Sequence, residues 1–323
     1  MITLFFFDKI KLVIILKKII AVLFLTIALV LSMLYVGYIY KDEIYVYYRD
    51  EIEKEKKNIT LEKNEYYKEN NYIYVQNTND FIAKDKNHLK NIFYSIINSG
   101  TDEFTFYCSD EYKDCTKDIS TYVQDQDFLS NINNFVHPYN SFEKINTSYD
   151  NYGEITIKVT KIYTEEDIQK LNTKIDAIIK NKIRKTMTNQ EKIKVIHNHI
   201  INNGKYATDN IRKKYPNKTF NKAGDILINK YGLCSSYADA MALFLYEFGI
   251  DNYKIANKTH VWNLVKINNK WLHLDLTWDD PVTSNGTDKL EILFLLIDNK
   301  RLNDLKVEKH DYNKEIYKEA LNK

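Results

Sequence analysis

The chain has 323 residues, with 46 Lys plus Arg against 44 Asp plus Glu and a formal net charge of +2. That near balance, with no basic patch laced with aromatics, leaves no electrostatic footprint for nucleic acid, and the length allows one large or two modest domains. Abundant Lys, Asn, Ile and Tyr beside 8 Gly and 3 Pro read as the imprint of an AT-rich genome, not as low complexity with a role.

Residues 1–18 carry Asp8, Lys9, Lys11, Lys17 and Lys18, and residues 19–40 form 22 positions without a charge. As a helix that run is about 33 Å long at 1.5 Å per residue, enough to cross a bilayer. Lysines ahead of it place the N-terminus in the cytoplasm and the rest outside the cell. The run exceeds a usual signal-peptide core and no small-x-small cleavage site follows, so a single-pass signal anchor is predicted over a cleaved signal peptide. Residues 41–71, dense in Glu, Lys and Tyr, read as a solvated juxtamembrane stalk.

Residues 72–185 read as a small α/β region. "FTFY" and "EITIKVTKIY" suggest strands, and "HLKNIFYSIINSG" a helix stopped at Gly100. From Glu165 to Lys185, Ile168, Leu171, Ile175, Ile178 and Ile179 make one helical stripe. Cys108 and Cys115 lie close together in "FYCSDEYKDCTK". In an oxidising exterior they can close a small disulfide loop, or they remain two unpaired thiols. Cys234 is the odd cysteine under either reading.

"TNQEKIKVIHNHIINNGKY" opens with Thr188 and Glu191 in a capping-box pattern, buries Ile193, Ile196 and Ile200, and ends at Gly204. His197 and His199 look like a metal pair, but positions two apart on a helix point in different directions. The spacings of other zinc ligands are missing, so neither a metal nor a cofactor is expected.

In "NKYGLCSSYADAMALFLYEFGI", Gly232 permits a tight turn, Cys234 opens a helix, and Gly249 closes it. Ala238, Ala240 and Ala242 keep the helix slim, while Tyr237, Met241, Phe244, Leu245 and Phe248 give it an apolar face. A thiol at a helix N-terminus feels the positive end of the dipole, which favours thiolate. Taken alone, Cys234 also suits the reading of a buried structural cysteine.

"HVWNLVKINNKWLHLDLTWDDP" holds all three tryptophans, Trp262, Trp271 and Trp278. It reads as two alternating strands joined by Asn268-Asn269, a pair that tolerates the positive φ of a two-residue hairpin turn. Ile267 then faces Lys270, Trp262 faces Asp275, and His260 faces Thr277. His260 and Asp275 share a face as diagonal neighbours, within reach of an aromatic side chain. An odd-length turn would send Asp275 to the other face.

A cysteine in a Gly-x-Cys turn before a small-residue helix, His-x-Trp-Asn on a strand, then Asp in "HLDLTWDDP" resembles the bacterial transglutaminase-like family, over roughly residues 186–298. The resemblance implies an α+β papain/transglutaminase-like core, in which a helix bearing the Cys packs on an antiparallel sheet bearing His and Asp. Residues 186–300 would be this catalytic domain and 301–323 a C-terminal helical tail. Cys234 would be the nucleophile, His260 the base and later acid, and Asp275 the residue that fixes the imidazole tautomer. The backbone N–H of Cys234 would serve the oxyanion. Trp262 would wall the site from water, and Asn263, Asp279 and Asp280 would support it or form turns. The implied function is a membrane-anchored extracellular thiol acyl-transfer enzyme acting on peptide or glutamine-type amides of a cell-surface protein or peptide substrate. Hydrolysis is slightly favoured over crosslinking, and the alternative is a non-catalytic surface binding module on the same fold.

Overall fold

The computed structural model describes residues 2–44, 47–48, 59–149, 154–280, 292–307 and 310–321. The uncharged N-terminal run lies, all but Tyr40, within one helix, Ile2–Ile39, whose stretch Leu16–Ile39 is 24 residues long and apolar enough to cross a membrane. Length and composition of that kind serve a membrane anchor or a signal sequence. The chain divides at Ile59 into two compact units, Met1–Ile59 and Thr60–Lys323. Of the expected stalk, residues 45–46 and 49–58 lie outside the described residues.

Residues 41–44 and 47–48 are exposed, as a solvated stalk would be, but residues 60–71 are partly buried. Residues 60–71 belong to the second unit. Lys68 is buried with Nζ over the rings of Tyr72 and Tyr246, 5.1 and 5.0 Å from their centroids, and donates to the Asn252 carbonyl at 2.7 Å. The local density of Glu and Lys hides a sparse apolar set, with Leu61 and Tyr72 buried. Long lysine stems can line apolar surface while the charged head finds an acceptor.

Strands β1 (Ile82–Ala83), β2 (Glu103–Cys108), β3 (Phe142–Tyr149) and β4 (Glu154–Lys161) form one sheet in the order β1-β2-β4-β3. The helix Lys86–Ser99 is capped by the Asp85 carboxylate on the His88 N–H and is stopped by Gly100 at φ 74°, where left-handed backbone favours glycine. Cys108, at the end of β2, is disulfide-bonded to Cys115, the first residue of the helix Cys115–Gln124. The helix Glu165–Lys182 buries Ile168, Leu171, Ile175 and Ile178, the expected stripe. These residues share one core with Ile193, Ile196, Tyr237, Met241 and Val265, so the early α/β region and the later elements are packed together.

Thr188 and Glu191 form a reciprocal capping box at the start of the helix Asn189–Asn203. Gly204 ends that helix in extended backbone, φ −117°, not in the left-handed form. Glycine is required there by packing, since a Cβ would sit 2.2 Å from Ile226 Cδ1.

The short parallel pair β5 (Lys205–Tyr206) and β6 (Tyr231–Gly232) leads into the helix Cys234–Glu247. Strands β7 (Asn252–Ala256), β8 (Val261–Ile267) and β9 (Lys270–Leu274) then form an antiparallel sheet in that order. The Cys234–Glu247 helix packs on β7 and β8, and is flanked by the helices Asn189–Asn203 and Ala223–Leu227. It is buried continuously from Ser236 to Leu245, so the expectation of one apolar face was too narrow. A helix enclosed on several sides is apolar nearly all round. Its one buried charge, Asp239, meets Lys254 Nζ at 2.6 Å and accepts from the Tyr163 hydroxyl at 2.8 Å. Removing one member of such a pair leaves the other buried and unpaired, a cost of about 3–5 kcal/mol.

The C-terminal stretch is mostly turns. Helix covers Asn299–Asp304, a single 3-10 turn covers Lys318–Leu321, and residues 308–309 and 322–323 lie outside the described residues. It is nonetheless firmly docked, with Tyr317 fully buried, donating to Asn131 Oδ1 and accepting from Asn134 Nδ2. Tertiary contacts replace the expected helical tail.

Candidate active site

Cys234 is the first residue of its helix, and no side chain caps that end. The first N–H groups of a helix have no partner within it, and those of Cys234 and Ser235 are in that position. Phe220 holds the approach. At φ 59°, unusual for a bulky residue, its carbonyl accepts both the Leu233 N–H at 2.7 Å and the Ser236 hydroxyl at 2.6 Å. Gly232 admits this close packing, for a Cβ there would lie 2.6 Å from Ser236 Cβ. The Cys234 side chain remains partly accessible.

The hairpin forms with the expected two-residue turn. Asn268 and Asn269 have φ 50° and 62°, and Ile267 pairs with Lys270. The ladder stops at Asn263 opposite Leu274, so the further pairs Trp262–Asp275 and His260–Thr277 do not form. Another segment takes over the strand end. The Asp275 N–H donates to the Phe294 carbonyl at 3.1 Å, and His273 bridges to Ile297. The period-two register still carries His260 and Asp275 to the same place. His260 Nε2 donates to Asp275 Oδ2 at 2.5 Å, and His260 is also hydrogen-bonded to Cys234. With Nε2 committed to the carboxylate, Nδ1 is the ring nitrogen left for the thiol.

Asp275 is buried, and all its acceptor sites are used. Oδ1 accepts the Thr277 N–H at 2.9 Å and the Trp278 N–H at 3.3 Å, while Oδ2 accepts from His260 and, at 2.8 Å, from His310 Nε2. Burial alone would raise its carboxyl, but hydrogen bonds from His260 and His310 hold it down at about 2. Burial alone would lower His260, but its bonds to Asp275 and Cys234 raise it to about 9. At neutral pH the pair is therefore imidazolium and carboxylate.

His310 had no signal in the sequence. His260, Asp275 and His310 bring three donor atoms within 4.8 Å, as a metal site would. Both imidazoles, however, aim at one carboxylate oxygen and make a hydrogen-bonded cluster. His197 and His199 do diverge on their helix. His197 is fully buried with Nε2 3.0 Å from Asp279 Oδ2, whereas His199 meets Asn203 on the surface.

The neighbours expected to support the site divide into three kinds of contact. Trp262 stacks on His260 at 5.5 Å and 17°, and its indole N–H donates to His273 Nδ1 at 3.0 Å. Asn263 Nδ2 donates to the Ala238 carbonyl at 2.9 Å, tying β8 to the helix that bears Cys234. Asp279 accepts from the Phe294 N–H at 3.0 Å as well as from His197, and Asp280 accepts from the Tyr237 hydroxyl at 2.6 Å. Burial pushes both of these carboxyls up. Of the three tryptophans, Trp271 lies elsewhere, against Tyr72 and Tyr253. Trp278 is edge-on to His260 at 6.5 Å.

A thiol at a buried helix start, bonded to an imidazole that is bonded to a carboxylate, stands within a recognisable sequence frame. Residues 176–276 match the transglutaminase-like superfamily. The chain carries a domain of that superfamily. The match begins ahead of Thr188 and ends just after Asp275, so the transglutaminase-like domain as matched includes Cys234, His260 and Asp275 but not His310. Among solved structures the chain is similar to a TGase, at 13% identity and TM-score 0.32, covering 46% of this chain and 47% of that one. It is also similar to a proposed cysteine protease from Cytophaga hutchinsonii, at 15% identity and TM-score 0.27, covering 46% and 65%. A proposed protease from Parabacteroides distasonis matches at 14% identity and TM-score 0.24, covering 46% and 40%. The chain thus spans less than two thirds of each of these structures. No curated protein matches the sequence.

Proposed function

We propose that this chain is a membrane-anchored thiol acyl-transfer enzyme that acts outside the cell on peptide or glutamine-type amides. The observation that supports it best is His260, bonded both to Cys234 and to Asp275 at the start of a buried helix. In this reading the Cys234 sulfur attacks the amide carbonyl, and its oxygen gathers charge beside the N–H groups of Cys234 and Ser235. His260 then protonates the leaving amine, Asp275 holds the ring in the required tautomer, and a thioester remains on Cys234. Water resolves the thioester to an acid, or a lysine-like amine resolves it to a new amide. Hydrolysis is favoured because the thiol is partly open to solvent. Trp262 shields the His260 ring, while Asn263, Asp279 and Asp280 hold the surrounding elements in register.

The first test is alkylation by iodoacetamide at mildly acidic pH. Cys108 and Cys115 are bonded to each other, so Cys234 is the free thiol that can react. Rapid labelling near pH 5, well above the rate of free cysteine, is expected of a thiolate–imidazolium pair. Labelling at the free-cysteine rate would favour a binding module that keeps the fold without the chemistry.

Topology is tested separately. With residues 19–40 in the bilayer and the lysines of residues 1–18 in the cytoplasm, protease added to intact cells should remove residues 60–323. Full protection, or release of a free mature chain, would defeat the anchored topology.

A further inference from the structure

Asp275 serves two imidazoles. His260 and His310 both aim Nε2 at Oδ2, and their rings stand 80° apart with centroids separated by 5.4 Å. The His310 ring is itself held firmly. It stacks on Phe294 at 4.7 Å and 10°, and meets Trp262 and Trp278 at 5.0 and 5.2 Å. Among the described residues its Nδ1 has no protein partner, so the bond to Asp275 is the polar contact that orients it. The same segment reaches the other side of the pair. The Asp311 carbonyl accepts from Asn257 Nδ2 at 2.8 Å, while Asn257 Oδ1 accepts the backbone N–H of His260 at 2.9 Å.

The geometry points to His310 as a positioning residue, supplied by the C-terminal segment beyond the matched domain, which fixes the Asp275 carboxylate toward His260. This rests on the thiol-enzyme reading. The Thr277 and Trp278 N–H groups anchor Oδ1, which leaves the direction in which Oδ2 is presented to be set by its imidazole donors, and with His260 as the one donor there the carboxylate plane can still tilt. A second donor at a steep angle to the first removes that freedom, and each charge-assisted bond favours the ionised form. The site is then complete only when residues 310–311 are docked.

Other titratable groups face this cluster. Beyond His260 lies Cys234. His273 on β9 is held neutral by burial, with His310 contributing, at about 3. Asp279 follows on the next turn, and Asp298 lies near His273. These residues are all kept in the His310 variants, and His273, the one among them that feels His310, is held neutral first by its burial, so differences between variants report on His310.

The test is the rate of iodoacetamide alkylation of Cys234 from pH 4 to 8 in the full chain, as wild type, His310→Asn and His310→Gln. The Gln amide nitrogen reaches the place of imidazole Nε2, and that of Asn stops one methylene short. Loss of the donor loosens the Asp275 carboxylate and weakens its hold on the His260 imidazolium, which in turn supports the thiolate less, so the acid limb of the His310→Asn profile should move up by about one pH unit, roughly tenfold in rate on that limb. His310→Gln should restore the wild-type limb. A purely structural role would lower the melting temperature without moving the limb. That outcome, or three superimposable profiles from an activated thiol, would overturn the inference alone. A wild-type thiol reacting like free cysteine throughout would defeat the thiol-enzyme reading and this inference with it.

Discussion

Replacing Cys234 with Ala is expected to abolish the acyl-enzyme and to lower amide turnover by about 10⁴–10⁶-fold, the scale seen when a protease nucleophile is removed. The size follows from its position. Without sulfur the two half-reactions collapse into direct attack by water, which the helix-start N–H groups and the imidazole assist only weakly. Folding should survive the change. Cys234 is partly accessible at the first position of its helix, and Ala is the best helix former. The clamp from Phe220 acts on Leu233 and Ser236, which the substitution leaves in place. Mass spectrometry of protein quenched with an amide donor should show a thioester on the wild type and none on Cys234→Ala, at similar melting temperature. An acyl adduct that persists in the variant would mean that another residue is the nucleophile.

The parts of this site that could be read from the sequence are those governed by local period and turn chemistry. Two asparagines able to take positive φ set an even-length hairpin, and the alternation of β8 and β9 then carries His260 and Asp275 to one place. The Thr188–Glu191 box and the Gly100 stop are equally local. What could not be read depends on segments far apart in sequence. His310 lies 35 positions from Asp275, in a stretch with no helical or strand period, and only docking of the C-terminal segment brings it in. His197 pairs with Asp279 across 82 positions, so neither residue alone revealed the bond. Residues 60–71 misled for a related reason. Their charges gave the average character of a solvated spacer, while a few apolar side chains and the stem of Lys68 decided the packing.

Asp275→Asn should cost on the order of 10–10³-fold in turnover, less than the ~10⁴-fold of the equivalent serine-protease change. The hydrogen bonds dictate the direction. Asp275 accepts four donors, two N–H groups on Oδ1 and two imidazole Nε2–H groups on Oδ2. An Asn can keep its oxygen toward Thr277 and Trp278 only by turning its NH₂ toward both imidazoles. His260 must then offer a lone pair at Nε2 and carry its proton at Nδ1, facing the thiol, where it can no longer accept the thiol proton. Flipping the amide instead sets NH₂ against two backbone N–H groups. The loss is milder than for serine because, in the proposed mechanism, a thiolate paired with imidazolium needs no proton abstraction at the moment of attack. The variant should also lose a pH signature of stability. The Asp275 carboxyl, lowered from 3.8 to about 2, stabilises the fold above pH 4 and loses that effect as pH falls through 2. His260, raised from 6.5 to about 9, stabilises it below pH 6.5 and loses that effect as pH rises through 9. Wild-type melting temperature should therefore be highest, as far as this pair contributes, between about pH 4 and 6.5. In Asp275→Asn the decline from pH 6.5 to 9 should flatten, because the imidazolium has lost its carboxylate. Equal declines in both proteins, with equal turnover, would show that Asp275 does not orient His260. Asp279 and Asp280 would then be the carboxylates to test.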